Sequence, residues 1–349
     1  MDHLVIMAGG VGSRFWPMST PEHPKQFTDI LGCGRTFIQL TVDRFRGIIA
    51  PENIWVVTSA AYASLVREQL PEIPVDNILL EPCRRNTAPC IAYVSWRIKK
   101  QDPNANLVVT PSDHIVTDVV EFQRVIREAL TFTASSDAIL TLGMKPTRPE
   151  TGYGYIKADF SSPSASNSDI VAVDSFKEKP NLHTAREYIQ HREYLWNAGI
   201  FVWRAETIIE AMRIYQPDIS TIFDSIVGSL ATPDEQRVID EQFPHCPDIS
   251  VDYAILEQAE ERYVLPASFG WSDLGTYGSL ITYLDKDAEG NAAVGPRVEL
   301  HDCRGCIVHT TQEHRVVIHG LDGYIVSEKD NTLLVCPLAE EQHIKEYSK

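Results

Sequence analysis

Along the first 145 residues, short apolar runs alternate with segments whose apolar positions recur at helical spacing. The runs are Leu4–Met7, Ile54–Val57, Ile78–Leu80, Leu107–Val109 and Ala138–Leu142, with Gly or Pro at or near their ends. Between them, Thr36–Phe45, Ala88–Ile98 and Phe122–Phe132 carry the helical period; the last puts Phe122, Val125, Ile126, Ala129 and Leu130 on one face. This alternation predicts an α/β fold of βαβ units, a Rossmann-like, mostly parallel sheet flanked by helices. In such sheets ligands sit beyond the carboxyl ends of the strands, so the residues after each run are the ones to inspect.

Further on, Ser161–Ser168 reads as a polar hairpin tip, Ile170–Phe176 and Ala198–Trp203 as strands, and Thr184–His191 and Ile208–Tyr215 as helices. Residues 217–260 read as mostly helical. Beyond residue 290 the pattern changes to short β-like runs separated by Gly, Asp and Asn: Val298–Leu300, Cys306–Val308, Arg315–Ile318, Tyr324–Ser327 and Leu333–Cys336. These predict a small all-β unit closed by a helical tail, Leu338–Tyr347. The expected division is a domain at 1–287 and a small β-rich domain at 288–349.

Charge narrows the partners. The 349 residues carry 31 Lys/Arg against 48 Asp/Glu, a net −17, which argues against a general nucleic-acid or anionic-membrane surface. Residues 1–90, however, hold 8 basic and 9 acidic side chains. A few placed cations there could still hold an anion. No stretch approaches the roughly 18 apolar residues of a membrane span. The start, MDHLVIMAGG, lacks the basic and long apolar regions of a secretory signal. Seven irregularly spaced cysteines fit a reducing compartment. A cytoplasmic location is the expectation.

The candidate chemistry follows the strands. Ala8-Gly9-Gly10-Val11-Gly12-Ser13-Arg14 is a glycine loop whose backbone N–H groups could cradle phosphate. It lacks the Gly-Lys-Ser/Thr of a P-loop, and Phe15 replaces the third glycine of a dinucleotide fingerprint. Alone it could be a tight turn. Arg14 inside it and Lys25 in Pro24-Lys25-Gln26-Phe27 make a polyphosphate the better fit. Glu81-Pro82-Cys83-Arg84-Arg85-Asn86-Thr87 follows the third run; a plain N-cap explains Asn86 or Thr87 but not Glu81 or the arginines. Pro111-Ser112-Asp113-His114 follows the fourth, and Asp113 could hold Mg²⁺ with a second carboxylate. Asp273, in Trp271-Ser272-Asp273, is that candidate; its plain alternative is a helix N-cap at Ser272 or Asp273. Gly152, Glu178, Lys179 and Asn197 lie in three Gly- and aromatic-rich clusters with the makings of a sugar-phosphate pocket. Cys303-x₂-Cys306 has zinc spacing, but no second such pair accompanies it and Arg304-Gly305 reads as a turn.

Taken in order, AGGVGSRFWP, PKQF, EPCRRNTAP, PSDH, TGYGYI, EKP, WNAGIF, VDYAILE and WSDLGTY resemble the mannose-1-phosphate guanylyltransferases, or GDP-mannose pyrophosphorylases, among the sugar-nucleotide nucleotidyltransferases. Phe15 departs mildly from the Leu or Met more usual there. The resemblance implies a GT-A-like nucleotidyltransferase fold and a C-terminal unit like a left-handed β-helix, often used in dimers, so a homodimer is expected. The chain stops too soon after Asp273 for the added isomerase domain of longer members, which implies the short, monofunctional form.

The implied reaction joins GTP and α-D-mannose 1-phosphate into GDP-mannose and pyrophosphate, with Mg²⁺. A phosphate monoester, with its second pKa near ~6, is mostly a dianion at pH 7 and needs no general base. By matching motifs, the backbones of Ala8, Gly9, Gly10 and Gly12 would hold the nucleotide. Arg14 and Lys25 would neutralise the triphosphate. Glu81, Arg85, Asn86 and Thr87, with Pro111 and Ser112, would read guanine and ribose. Asp113 and Asp273 would ligate the metal. Gly152, Glu178 and Asn197 would meet mannose, and Lys179 its phosphate. Two rivals stand beside this: the same chemistry on fucose or heptose 1-phosphate, and a catalytically silent sugar-nucleotide-binding regulatory subunit.

Overall fold

The computed structural model describes residues 1–10, 12–311 and 315–348; Val11, within the glycine loop, lies outside them. The strands are β1 (Asp2–Met7), β2 (Ile54–Ser59), β3 (Ile78–Glu81), β4 (Asn106–Pro111), β5 (Ile115–Val116), β6 (Ile139–Met144), β7 (Tyr155–Pro163), β8 (Val171–Lys177), β9 (Tyr194–Arg204), β10 (Arg262–Ala267) and β11 (Trp271–Ser272). Six more follow: β12 (Ala292–Val294), β13 (Val298–His301), β14 (Ile307–Thr310), β15 (Val316–His319), β16 (Tyr324–Lys329) and β17 (Thr332–Pro337). The helices are α1 (Phe37–Arg44), α2 (Ala63–Gln69), α3 (Thr87–Gln101), α4 (Val119–Ala134), α5 (Leu182–Tyr188), α6 (Ala205–Tyr215), α7 (Pro217–Ile226), α8 (Glu235–Gln242), α9 (Tyr277–Leu280) and α10 (Ile344–Tyr347). By contact the residues group into two compact units, one of 1–9, 44–111 and 116–272, the other of 10–43, 112–115 and 273–349.

The first unit is built on a sheet ordered β3-β2-β1-β4-β9-β6-β10-β8-β7. β1 lies between β2 and β4, parallel to both, and Leu4, Val5 and Ile6 are fully buried. Enclosure on both faces is why this strand reads as a continuous apolar run. The sheet is mixed, which corrects the mostly parallel expectation: β9 runs antiparallel to both β4 and β6. Its apolar sequence, WNAGIFVW, marks burial but carries no strand direction. α3 is buried from Ala88 through Ile98, and α4 turns the predicted Phe122, Val125, Ile126, Ala129 and Leu130 inward behind an Asp118 cap. Tyr93 and Trp96 of α3 pack on Phe223 of α7.

The second unit stacks parallel strands: β12 on β14, β14 on β16, and β13 on β15, with β17 closing antiparallel on β16. Ile307, Ile325, Leu334 and Ile344 share one core with Phe15, Met18, Phe37 and Tyr277. The Tyr277 hydroxyl hydrogen-bonds to the Ser327 hydroxyl at 2.9 Å and donates to the Phe15 carbonyl at 3.2 Å. A boundary near 287 separates two sequence patterns; by contact, residues 10–43 group with the C-terminal strands. Among the described residues no helix is long and apolar enough to cross a membrane.

Candidate functional site

Within the second unit, the glycine loop closes on its own segment. Gly12 has φ +68° and caps a 3₁₀ turn, Ser13–Phe15, that carries Arg14. A side chain there would collide with the Cβ of Lys25, so glycine is required both by conformation and by space. The Gly12 carbonyl accepts from the Ser19 hydroxyl, and the Gln26 amide donates to the Gly10 carbonyl at 2.9 Å.

Lys25 differs from the expected substrate-facing cation. Its side chain is only 4% exposed. Nζ donates to Asp113 Oδ2 at 3.1 Å and to the Asp273 carbonyl at 2.7 Å. The rings of Phe15 and Phe37 flank it at 5.7 and 5.1 Å. Lys25 is therefore an internal tie joining the loop to both acidic segments. Burial works to raise the Asp113 pKa, but the charges of Lys25 and His114 outweigh it and hold the carboxyl below its ordinary value.

Asp273 is not an N-cap. That place belongs to Thr276, which caps α9 in a reciprocal pair with Ser279. Leu274, just after Asp273, has φ +46°, a strained conformation for a branched side chain of the kind that collects at functional sites. The Asp273 carboxylate and the Arg14 guanidinium both border Gly275, 3.4 and 3.8 Å from where its Cβ would lie. Gly12, Arg14, Lys25, Asp113, Asp273 and Lys345 are among the residues lining one cavity of about 330 Å³. Among the described residues no three His, Cys, Asp or Glu side chains are grouped to hold a metal. Two carboxylates in one cavity suit a hard cation that keeps its waters and takes further oxygens from a phosphate. The Cys303 and Cys306 thiols donate to the carbonyls of His301 and Arg304, each at 3.3 Å.

Within the first unit lie the residues expected to read the nucleotide. Ala8 gives its N–H to the Val57 carbonyl at 2.9 Å and its carbonyl accepts from Thr58 at 2.8 Å. The Ala8 N–H thus continues the sheet and is not open to a ligand, contrary to expectation. Gly9 lies beside Glu81, whose Oε2 is 3.8 Å from where a Cβ on Gly9 would be. Glu81 is 8% exposed, and its Oε1 has no hydrogen-bond partner. Burial pushes its pKa up to about 7, against a hydrogen bond with Cys90. Arg85 donates to the Pro244 carbonyl at 2.5 Å while its Nε is buried without a partner. Asn86 is the N-cap of α3, at φ +64°, and Thr87 Oγ1 accepts from the Val251 N–H at 2.9 Å. The cap reading therefore holds for Asn86. Pro111 ends β4. Ser112, in the second unit, is buried, and its carbonyl accepts from Thr41 at 3.2 Å.

The sugar candidates also lie in the first unit. Glu178 Oε2 lies 2.6 Å from the Cβ position of Gly154, and Asn197 borders the same glycine. Lys179, at φ +44°, pairs with Glu178 at 2.6 Å. Gly152 is exposed and donates to Glu150 at 3.0 Å. The structure adds Asp252, on a π-helical turn, Asp252–Leu256, a rare element frequent at functional sites. Asn197 Nδ2 donates to Asp252 Oδ1 at 2.7 Å. Burial, then the charge of Glu178, raises the Asp252 pKa to about 6. Its only sequence signal was membership of VDYAILE. Lys345 had none.

The second unit thus gathers the glycine loop and two carboxylates around one cavity, and the first unit gathers Glu178, Asn197 and Asp252. The nucleotidyl transferase family model matches residues 3–290, and the chain belongs to that family. More particularly, it is 38% identical over 335 residues to the mannose-1-phosphate guanylyltransferase of Salmonella montevideo, covering 95% of this chain and 70% of that protein. To the enzyme of the same name from Escherichia coli K12 it is 36% identical, over 95% of this chain and 69% of the relative. Among solved structures, a mannose-1-phosphate geranyltransferase from Thermus thermophilus aligns with a TM-score of 0.88 at 28% identity, covering 99% of this chain and 98% of the other.

Proposed function

We propose that the chain transfers GMP from GTP to α-D-mannose 1-phosphate, giving GDP-mannose and pyrophosphate. The carrying observation is the cavity that brings Gly12, Arg14, Asp113 and Asp273 together in a chain whose relatives bear that activity's name. An oxygen of the sugar phosphate attacks the α-phosphorus of GTP. The new P–O bond forms as the bond to the bridging oxygen breaks, and the electron pair leaves with pyrophosphate. Since the attacking group is already a dianion, the protein's work is alignment and charge compensation.

In this reading Asp113 and Asp273 hold Mg²⁺, which when bound would draw negative charge from the phosphates. Lys25 keeps Asp113 ionised and aimed. Arg14 faces the triphosphate and the leaving pyrophosphate. Glu81, with an unpartnered buried oxygen, accepts from the guanine edge, supported by Arg85, Asn86 and Thr87. Glu178 and Asn197 take the sugar hydroxyls, and Lys179 the sugar phosphate. The stacked parallel strands of the second unit support reading them as a β-helix-like coil.

The test is pyrophosphate release by the purified chain with Mg²⁺, GTP and mannose 1-phosphate, alongside ATP, UTP, glucose 1-phosphate, fucose 1-phosphate and an Asp113→Ala variant. Release confined to GTP with mannose 1-phosphate, and lost in the variant, is expected. Release with another sugar phosphate alone would overturn the substrate. No release from folded protein that binds GTP would favour a regulatory subunit.

A further inference from the structure

The cavity of the second unit contains a cation that no sequence motif points to. Lys345 lies on α10, far along the chain from the glycine loop, yet it lines the same cavity as Gly12, Arg14, Asp113 and Asp273. Its placement is fixed from beneath. The neighbouring Ile344 is fully buried in the core that holds Phe15, Phe37 and Tyr277. Phe15 itself ends the 3₁₀ turn carrying Arg14. One apolar cluster thus positions both the Arg14 turn and the start of α10. The Lys345 side chain rises from that anchored turn on a flexible stem with three donors, suited to meeting a phosphate as a point charge.

Charge accounting gives this placement a purpose. Lys25 is committed to Asp113 and to the Asp273 carbonyl, so its charge is largely matched inside the protein. The Asp273 carboxylate adds a further negative charge near Arg14. Mg²⁺ on the two carboxylates would offset part of the charge of a nucleoside triphosphate, or of pyrophosphate, and such a polyanion still calls for more positive charge than Arg14 supplies. We propose that Lys345 is a phosphate-binding residue of this cavity, holding the β- and γ-phosphates of the triphosphate and the pyrophosphate that leaves. This rests on the transferase reading above and adds to it an element from the C-terminal segment.

The test is equilibrium binding of pyrophosphate and of GTP to the full chain by calorimetry with Mg²⁺, at two salt concentrations, followed by steady-state kinetics. Lys345→Met keeps the apolar stem and removes the charge; Lys345→Arg keeps the charge. Lys345→Met should weaken pyrophosphate binding roughly threefold to tenfold, the scale of a solvent-screened charge contact. It should flatten the salt dependence, raise the KM for GTP and leave the KM for the sugar phosphate unchanged, at an unaltered melting temperature. Lys345→Arg should bind within about twofold of wild type, since its charge is kept. Wild-type pyrophosphate and GTP binding in Lys345→Met would overturn the proposal. So would equal losses in Met and Arg variants, which would show a packing role. If the unsubstituted chain bound neither pyrophosphate nor GTP, the transferase reading itself would fall, a result distinct from failure at Lys345 alone.

Discussion

Asn197 donates a 2.7 Å hydrogen bond from Nδ2 to Oδ1 of Asp252, while its own Oδ1 accepts from the Gly199 N–H at 3.0 Å. A backbone N–H can only donate, so it fixes which end of the amide is oxygen, and Asp252 holds the nitrogen end. Asp252→Ala removes the acceptor at the nitrogen end and leaves the amide held from its oxygen alone, by the Gly199 N–H and the Thr141 hydroxyl. The expected result is a rise of roughly tenfold in the KM for the sugar phosphate, the scale of a hydrogen bond to a charged group, with the KM for GTP unchanged. Asp252→Asn keeps an acceptor and should recover much of the loss. Steady-state kinetics on both variants checks this, and parallel changes in both KM values would refute it.

The buried tie from Lys25 to Asp113 makes a stability prediction. Lys25→Met takes away the ammonium partner of Asp113 and leaves it only His114, at 4.0 Å, beside a buried methionine. Asp113 is one-third exposed, so the cost is discounted to about 2 kcal/mol from the larger losses of fully buried pairs. The folded-state pKa of Asp113 is depressed. Its contribution is therefore present above the ordinary carboxylate range and lost as pH falls through its folded pKa. Denaturant unfolding should show a deficit in Lys25→Met at pH 7 that narrows toward pH 3.

Two glycine substitutions should separate the two units. Gly12→Ala forces an L side chain into φ +68° and against Lys25 Cβ, so folding stability and turnover should both fall sharply. Gly154→Ala meets instead the carboxylate end of Glu178, at 2.6 Å. That end can swing away. The protein should fold normally, bind GTP normally and lose sugar-phosphate affinity. Calorimetry with each ligand distinguishes the outcomes.

Glu81 carries a pH signature. Its folded-state pKa is raised from 4.5 to about 7, so the folded protein holds a proton that the unfolded chain releases. The stability contribution is complete below the unfolded value and is lost as pH rises through about 7, a penalty of order 3 kcal/mol above it. Glu81→Gln cannot ionise. It should match wild type near pH 4.5, exceed it in stability at pH 8, and bind GTP more weakly. Equal pH slopes in the two proteins would contradict the account.

Much of this was readable in the residues themselves. The apolar runs located β1 to β4, and the helical period located α4 to its inward-facing side chains, because both signals are local. The motifs after the strands named Gly12, Arg14, Asp113 and Asp273. What could not be read depends on partners distant in sequence. The direction of β9 is set by its neighbours and not by its apolar pattern. Lys25 looks the same in sequence whether it faces solvent or, as here, sits beneath Phe15 and Phe37. Asp252 gains its role only from Asn197, 55 positions away, and Lys345 only from a shared cavity.

The grouping of residues 10–43 with 273–349 has a consequence for the newborn chain. Lys25 and the Asp273 carbonyl it meets are 248 positions apart. At roughly 5–20 residues per second, a ribosome would deliver the second some 10–50 s after the first. Through that interval the strands and helices of residues 44–272 can assemble, whereas Phe15 and Phe37 still lack Tyr277, Ile307 and Ile344 to cover them. The unit that carries the cavity of Arg14, Asp113 and Asp273 is thus the last to mature. A chaperone that shields one short aromatic segment early in translation would act at the most vulnerable moment of this protein's synthesis.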